Sequence, residues 1–140
     1  YNRGTTPMLT ELTVENVALV ERAQLAFGPG LVLLTGETGA GKSILLDALG
    51  MALGGRVSAE IVRHGAAKAR SEASFRLADP APGIARALEE LGIETEDGLL
   101  ILSREVDPGG RSTARVNGRQ VTVGTLKRLG DALVDIHGQH

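Results

Sequence analysis

Three features of the sequence predict an α/β fold built around a ligand-binding loop. A continuous β-prone run, Leu31–Leu34, leads into the glycine-rich stretch Gly36–Ser43, which opens onto the apolar segment Ile44–Leu53. Buried-type strand, tight loop and buried-type helix, in that order, make a strand–loop–helix unit of an α/β sheet. Ahead of it, residues 9–27 alternate apolar and polar side chains at the two-residue period of half-buried antiparallel strands. The expectation is a mixed sheet with an antiparallel β region.

The elements follow in order. Tyr1–Pro7, a polar Gly/Thr/Pro stretch, reads as an appended remnant, which leaves residues 8–140 for the fold. Leu9, Glu11, Thr13 and Glu15 alternate with Thr10, Leu12, Val14 and Asn16, and Val17–Val20 continue apolar. Ala23, Leu25 and Phe27 then alternate with Arg22, Gln24 and Ala26. Gly28-Pro29-Gly30 is a turn that no strand could contain. Ile44–Leu53 is apolar nearly all round, with Asp47 its only charge, so it is expected to be buried against a sheet. Gly54-Gly55 ends it.

Arg70–Leu77 reads as a strand, and Pro82–Leu91 as a short helix with Ile84, Leu88 and Leu91 on one stripe. Leu99–Val106 reads as a strand, Asp107–Gly110 as a turn and Ser112–Val116 as the returning strand. Asn117-Gly118 suits a type I′ turn, because both residues tolerate positive φ. Thr122 is placed to cap a helix bearing Val123, Leu126, Leu129 and Leu133, and Val134–Ile136 reads as one more strand.

Composition narrows the class. A chain of 140 residues suits one compact domain, and at 42% hydrophobic it can build a core. With two Phe, one Tyr and no Trp, that core must be aliphatic. A net charge of −2 gives no global signal for nucleic acid or membrane, although charge is uneven along the chain. Residues 77–98 hold one basic and six acidic side chains, whereas residues 103–128 hold six basic and two acidic. Zero cysteines exclude disulfides and a thiolate zinc site, and fit a reducing compartment. No apolar run reaches the length of a membrane span, and no secretory leader is visible.

Gly36-Glu37-Thr38-Gly39-Ala40-Gly41-Lys42-Ser43 matches G-x-x-x-x-G-K-[ST]. The glycines permit backbone angles that let successive N–H groups converge on phosphate oxygens. The helix that begins here adds free N–H groups and a positive dipole end. Lys42 supplies a point charge for the β- and γ-phosphates, and the Ser43 hydroxyl is a small oxygen ligand for Mg²⁺. These parts imply a nucleoside triphosphate, ATP before others. Hydrolysis further requires a carboxylate on magnesium and a group that orients water. Asp135 is the one local candidate, and it reads better as an ordinary strand-end residue. His137 and His140 lack neighbouring ligands and do not make a metal site.

Beyond the motif, the chain resembles the RecN family, bacterial ATPases of DNA double-strand-break repair related to the SMC proteins. The resemblance is carried by Met8–Asn16, Phe27–Leu31 and Leu34–Leu49. It continues through Ile61-Val62-Arg63-His64-Gly65, Arg115-Val116-Asn117-Gly118-Arg119 and Asp135–His140. It implies the amino-terminal lobe of an ABC/SMC-type ATPase head, with the signature motif and the acidic magnesium pair on a carboxy-terminal lobe. It also implies ATP-driven pairing of two heads, DNA engagement through the full protein and a cytoplasmic, nucleoid-associated location. Gln139 matches the glutamine expected to touch magnesium and the attacking water, and would act in catalysis with Lys42. Arg56 and Arg63 fall where such heads carry an arginine-bearing loop near nucleotide or DNA. No Ser-Gly-Gly signature, Asp-Glu pair or heptad segment occurs in these residues, so hydrolysis by them alone is not expected. The alternatives are a lobe of another ABC-type or P-loop NTPase that does not act on DNA, or a nucleotide-binding switch.

Overall fold

The computed structural model describes residues 8–26, 39–77, 82–95 and 98–137. Six strands form one sheet in the order β2-β1-β3-β4-β5-β6, antiparallel at every pairing. They are β1 Met8–Val17, β2 Val20–Ala26, β3 Ala69–Arg76, β4 Leu99–Val106, β5 Ser112–Val116 and β6 Arg119–Val121. The α-helices among the described residues are α1 Gly39–Ala52, α2 Pro82–Leu91 and α3 Val123–His137, with a short 3-10 turn at Ala59–Ile61. The expected strand Leu31–Leu34 and the Gly28-Pro29-Gly30 turn lie outside the described residues.

One face of the sheet builds the core. Cross-strand register aligns Leu12, Ala73, Leu102 and Val116 in one row, all buried. The next row is Val14, Ser71, Arg104 and Ala114, also buried, so two polar side chains sit directly opposite one another inside the core. The other face is wet and charged: Glu105 pairs with Lys68, Arg70 and Arg115. A sheet with one covered and one solvated face gives the alternation visible in the sequence.

Two details of β1 depart from simple alternation. The register shifts between Leu9 and Glu11, so Thr10 is an extra residue, and Leu9 joins Leu12 and Val14 in the core. The sequence reading placed Leu9 in phase with Glu11; a β-bulge moves everything before it to the opposite face. The strand also stops at Val17. Asn16 and Ala18 have positive φ, and the chain reverses through Ala18-Leu19, leaving Leu19 88% exposed. The apolar run Val17–Val20 is therefore a hairpin turn within the strand pair, because a continuous run carries no signal of where a chain reverses.

The helices match their expected starts. Pro82 begins α2 at a position where a missing N–H costs nothing, and Ile84, Ala87 and Leu88 are buried. Thr122 caps α3, its hydroxyl accepting from Thr125 N–H at 3.0 Å, and Leu126, Leu129 and Leu133 are buried. The expected final strand Val134–Ile136 is instead the last turn of α3, which runs on to His137. Once Leu126, Leu129 and Leu133 fix helical phase against the core, Val134, Asp135 and Ile136 extend the helix, and no Gly or Pro intervenes before Gly138. Asp135 is thus a helical residue and not a strand-end carboxylate.

Asn117 and Gly118 form the expected turn with φ of 51° and 82°. Asn117 does more than turn: its side chain accepts from Ile101 N–H at 2.7 Å and donates to Glu94 C=O at 2.9 Å. The turn also introduces β6, a three-residue edge strand absent from the sequence reading.

Candidate nucleotide-binding site

The helix α1 begins at Gly39, so the second half of the glycine-rich motif supplies its first turn. Gly39, Ala40, Gly41 and Lys42 form the first helical turn, and the N–H groups of Gly39, Ala40 and Gly41 have no carbonyl four residues back within the helix to bond. No acidic residue occupies that turn, so the turn itself offers no counter-charge to the positive end of the dipole. Ser43 is the next residue and is exposed. Free N–H groups, a positive helix end and an exposed hydroxyl fit a magnesium-bound polyphosphate. Gly36, Glu37 and Thr38 lie outside the described residues, as does Gln139.

The rest of α1 is held by the sheet. Ala48, Met51 and Ala52 are buried, and the small alanines allow the helix to lie close to β3 and β4. Burial is one-sided among the described residues: Ile44, Leu45 and Leu49 are half-buried, and Leu46 is 47% exposed. The segment is held against the sheet as its apolarity predicted, and one face of it stays uncovered among the described residues.

At its carboxy-terminal end α1 closes in a Schellman motif. Gly54 takes φ +90°, Gly54 N–H donates to Met51 C=O at 3.1 Å, and Gly55 N–H to Gly50 C=O at 2.9 Å. The expected Gly54-Gly55 stop is borne out. Close packing enforces it as well, since a Cβ on Gly54 would collide with the backbone of Lys127 on α3. Gly130, one turn further along α3, packs on the carbonyl of Leu53 with no room for a side chain.

Arg56 and Arg63 occupy different surroundings. Arg56 is exposed and lies just past the carboxy-terminal end of α1, a helix ~20 Å long. With Gly54, Gly55, Ser58, Arg104 and Lys127 it lines an open cavity of about 730 Å³ at the end of α1 away from the phosphate loop. Arg63 is half-buried beside the β1–β2 turn, its backbone N–H donating to Asn16 C=O at 2.9 Å.

Two polar residues of this region were not singled out from the sequence. Ser71 Oγ donates to Ala48 C=O at 2.6 Å. Arg104 donates through NH1 to Met51 C=O at 3.2 Å and Gly55 C=O at 2.7 Å, and through Nε to Ser112 Oγ at 2.6 Å. Burial depresses the pKa of Arg104 from its ordinary value by desolvation, but a guanidinium stays charged at neutral pH. A signal was present: Arg104 shares a phase with Leu100, Leu102 and Val106, so a cation falls in the apolar register of β4.

The fold is that of SMC-type head domains. A solved SMC ATPase, described for ATP-driven dimerization and DNA-stimulated activation, aligns with 91% of this chain and 80% of its own at a TM-score of 0.68 and 22% identity. The Smc head domain of Pyrococcus furiosus, solved with an extended coiled coil, aligns with 92% of this chain and 34% of its own at a TM-score of 0.67 and 20% identity. The recombination mediator RecF gives a TM-score of 0.65 at 20% identity, over 87% of this chain and 30% of its own.

A family model described as an AAA domain matches residues 11–120, and the chain belongs to that family. In sequence it is similar to DNA repair protein RecN: 50% identical over 133 residues to that of Halalkalibacterium halodurans and 45% to that of Bacillus subtilis. Each match takes in 95% of this chain and 23% of the relative, so the chain spans under a quarter of the length of these relatives. The resemblance to RecN is borne out over nearly the whole chain. Among the described residues, no helix is long and apolar enough to cross a membrane.

Proposed function

We propose that the chain is the ATP-binding lobe of a RecN-like ATPase that acts in DNA double-strand-break repair and recombination. The observation that carries the reading is Gly36–Ser43 opening α1 within an SMC-type head fold, in a sequence half identical to a RecN protein. In this reading the backbone N–H groups from Gly36 to Lys42 cradle the phosphates, flanked by the Glu37, Thr38 and Ala40 positions. Lys42 neutralises the β- and γ-phosphates, where charge grows as the γ-phosphoryl group leaves. Ser43 and Gln139 would hold Mg²⁺, which would supply positive charge to offset that of the phosphates. Gln139 also orients water, while Arg56 and Arg63 serve the nucleotide or DNA side of the head.

A carboxy-terminal lobe and a second head of the same protein complete this site, and DNA is engaged by the whole assembly. Turnover by the full-length protein carrying this lobe is therefore expected to rise more steeply than linearly with concentration, and Lys42→Ala to abolish it. Turnover strictly proportional to concentration would remove the two-headed site. Unchanged ATP affinity in a folded Lys42→Ala protein would remove the phosphate loop from the mechanism.

A further inference from the structure

The α1 helix carries the phosphate loop at one end and is gripped by the sheet near the other. Ser71 and Arg104 are direct cross-strand partners on β3 and β4. Both point into the core, with exposures of 0% and 5%. Ser71 is spent on the Ala48 carbonyl of α1, and Arg104 on the Met51 carbonyl of α1 and the Gly55 carbonyl just beyond its end. Ala48 and Met51 are three residues apart, so the two strands hold successive turns of one helix face.

The helix supplies no cation of its own there, since its last turn has no basic residue. Among the described residues, Arg104 has no carboxylate within ion-pair distance. Its charge is balanced by the negative end of the α1 dipole and by carbonyl oxygens. A buried hydroxyl and a buried guanidinium are costly ways to attach a helix that apolar packing alone could attach. They fix what apolar contacts leave loose: position along and around the helix axis. Met51 is nine residues beyond Lys42, ~14 Å along a rigid helix.

We propose that Arg104, assisted by Ser71, is a positioning residue for the phosphate loop. It sets the height and rotation of α1, and through them the convergence of the loop N–H groups on a nucleotide. This rests on the ATP-binding reading above. With the grip removed, the loop end samples positions that bind phosphate poorly, and apparent affinity falls with the fraction of molecules correctly placed.

The test uses the full-length protein carrying this lobe, with Mg-ATP as the probe. In Arg104→Met, KM for ATP is expected to rise about tenfold, as for a correctly placed fraction near one in ten, with kcat changed less than twofold. Arg104→Lys keeps a buried cation within reach of the carbonyls and should recover most of that loss. Ser71→Ala, a mild change that keeps the fold even should Arg104→Met fail to, is expected to raise KM about threefold. Without nucleotide, amide exchange at residues 39–43 should quicken in both Ser71→Ala and Arg104→Met. A lower melting temperature or a smaller active fraction, with KM and loop exchange as in the wild type, would reduce the pair to scaffolding and overturn the proposal. Failure of the wild-type protein to bind Mg-ATP would instead overturn the ATP reading, and exchange at the loop end would still judge the grip.

Discussion

The two ends of α1 obey opposite rules. At the amino-terminal end, the N–H groups of Gly39, Ala40 and Gly41 have no helical partners, and the first turn holds no acid to cap them. At the carboxy-terminal end the carbonyls are satisfied repeatedly, by the Gly54 and Gly55 N–H groups and by the Arg104 side chain, with Ser71 one turn earlier. Exposed Ser43 stands at one end, and buried Met51 and Ala52 at the other. A binding end must keep donors unmet so that a ligand can meet them. An anchoring end must leave nothing unmet, because every orphaned buried carbonyl would weaken the hold. The same 14-residue helix is thus open at one end, where the proposed nucleotide would bind, and anchored at the other.

That contrast breaks most visibly at Lys42. Lys42→Ala should weaken Mg-ATP binding in the full-length protein on the order of a hundredfold, the worth of charge-assisted hydrogen bonds to phosphate. Stability without nucleotide should shift by less than about 0.5 kcal/mol. Calorimetric titration and chemical denaturation check the two halves. A large loss of stability would mean that the loop end is structural after all.

Gly54→Ala should do the reverse. The residue would combine a positive φ with a collision against Lys127, costing about 2–4 kcal/mol in the denaturation midpoint. An unchanged midpoint would show that α1 and α3 can part freely, against the anchored-end reading. Asn117→Ala, remote from both ends, removes the bonds to Ile101 and Glu94 at a site with φ 51°. It should cost about 1–3 kcal/mol and leave KM for ATP unaltered in the folded fraction. A KM change there would dissolve the claim that affinity depends on α1 in particular. The smallest effect is expected at Asp131→Asn. Its ion pair with Lys127 at 3.1 Å is well exposed on both sides, so stability should move by less than about 0.5 kcal/mol and KM not at all.

Sequence alone determined whatever depends on local chemistry. The glycine-rich motif is recognisable because its glycines, lysine and serine have fixed spacing, and its second half does open α1. The α2 boundaries, the β4 strand, the Asn117-Gly118 turn and the Thr122 cap are legible because each is set by neighbours within a few residues. The tertiary structure decided the rest. Whether Val134–Ile136 is strand or helix turns on Leu126, Leu129 and Leu133 locking phase against a core built from distant strands. The Thr10 bulge depends on pairing with β3, more than sixty residues away, and no local pattern records it. The grip of Ser71 and Arg104 on α1 joins residues 23 and 53 positions apart, through carbonyls that every residue possesses. Periodicity can show that a serine and an arginine fall in an apolar register. Only the packed chain shows which backbone atoms they hold, because a hydrogen bond to a carbonyl leaves no side-chain signature at its accepting end.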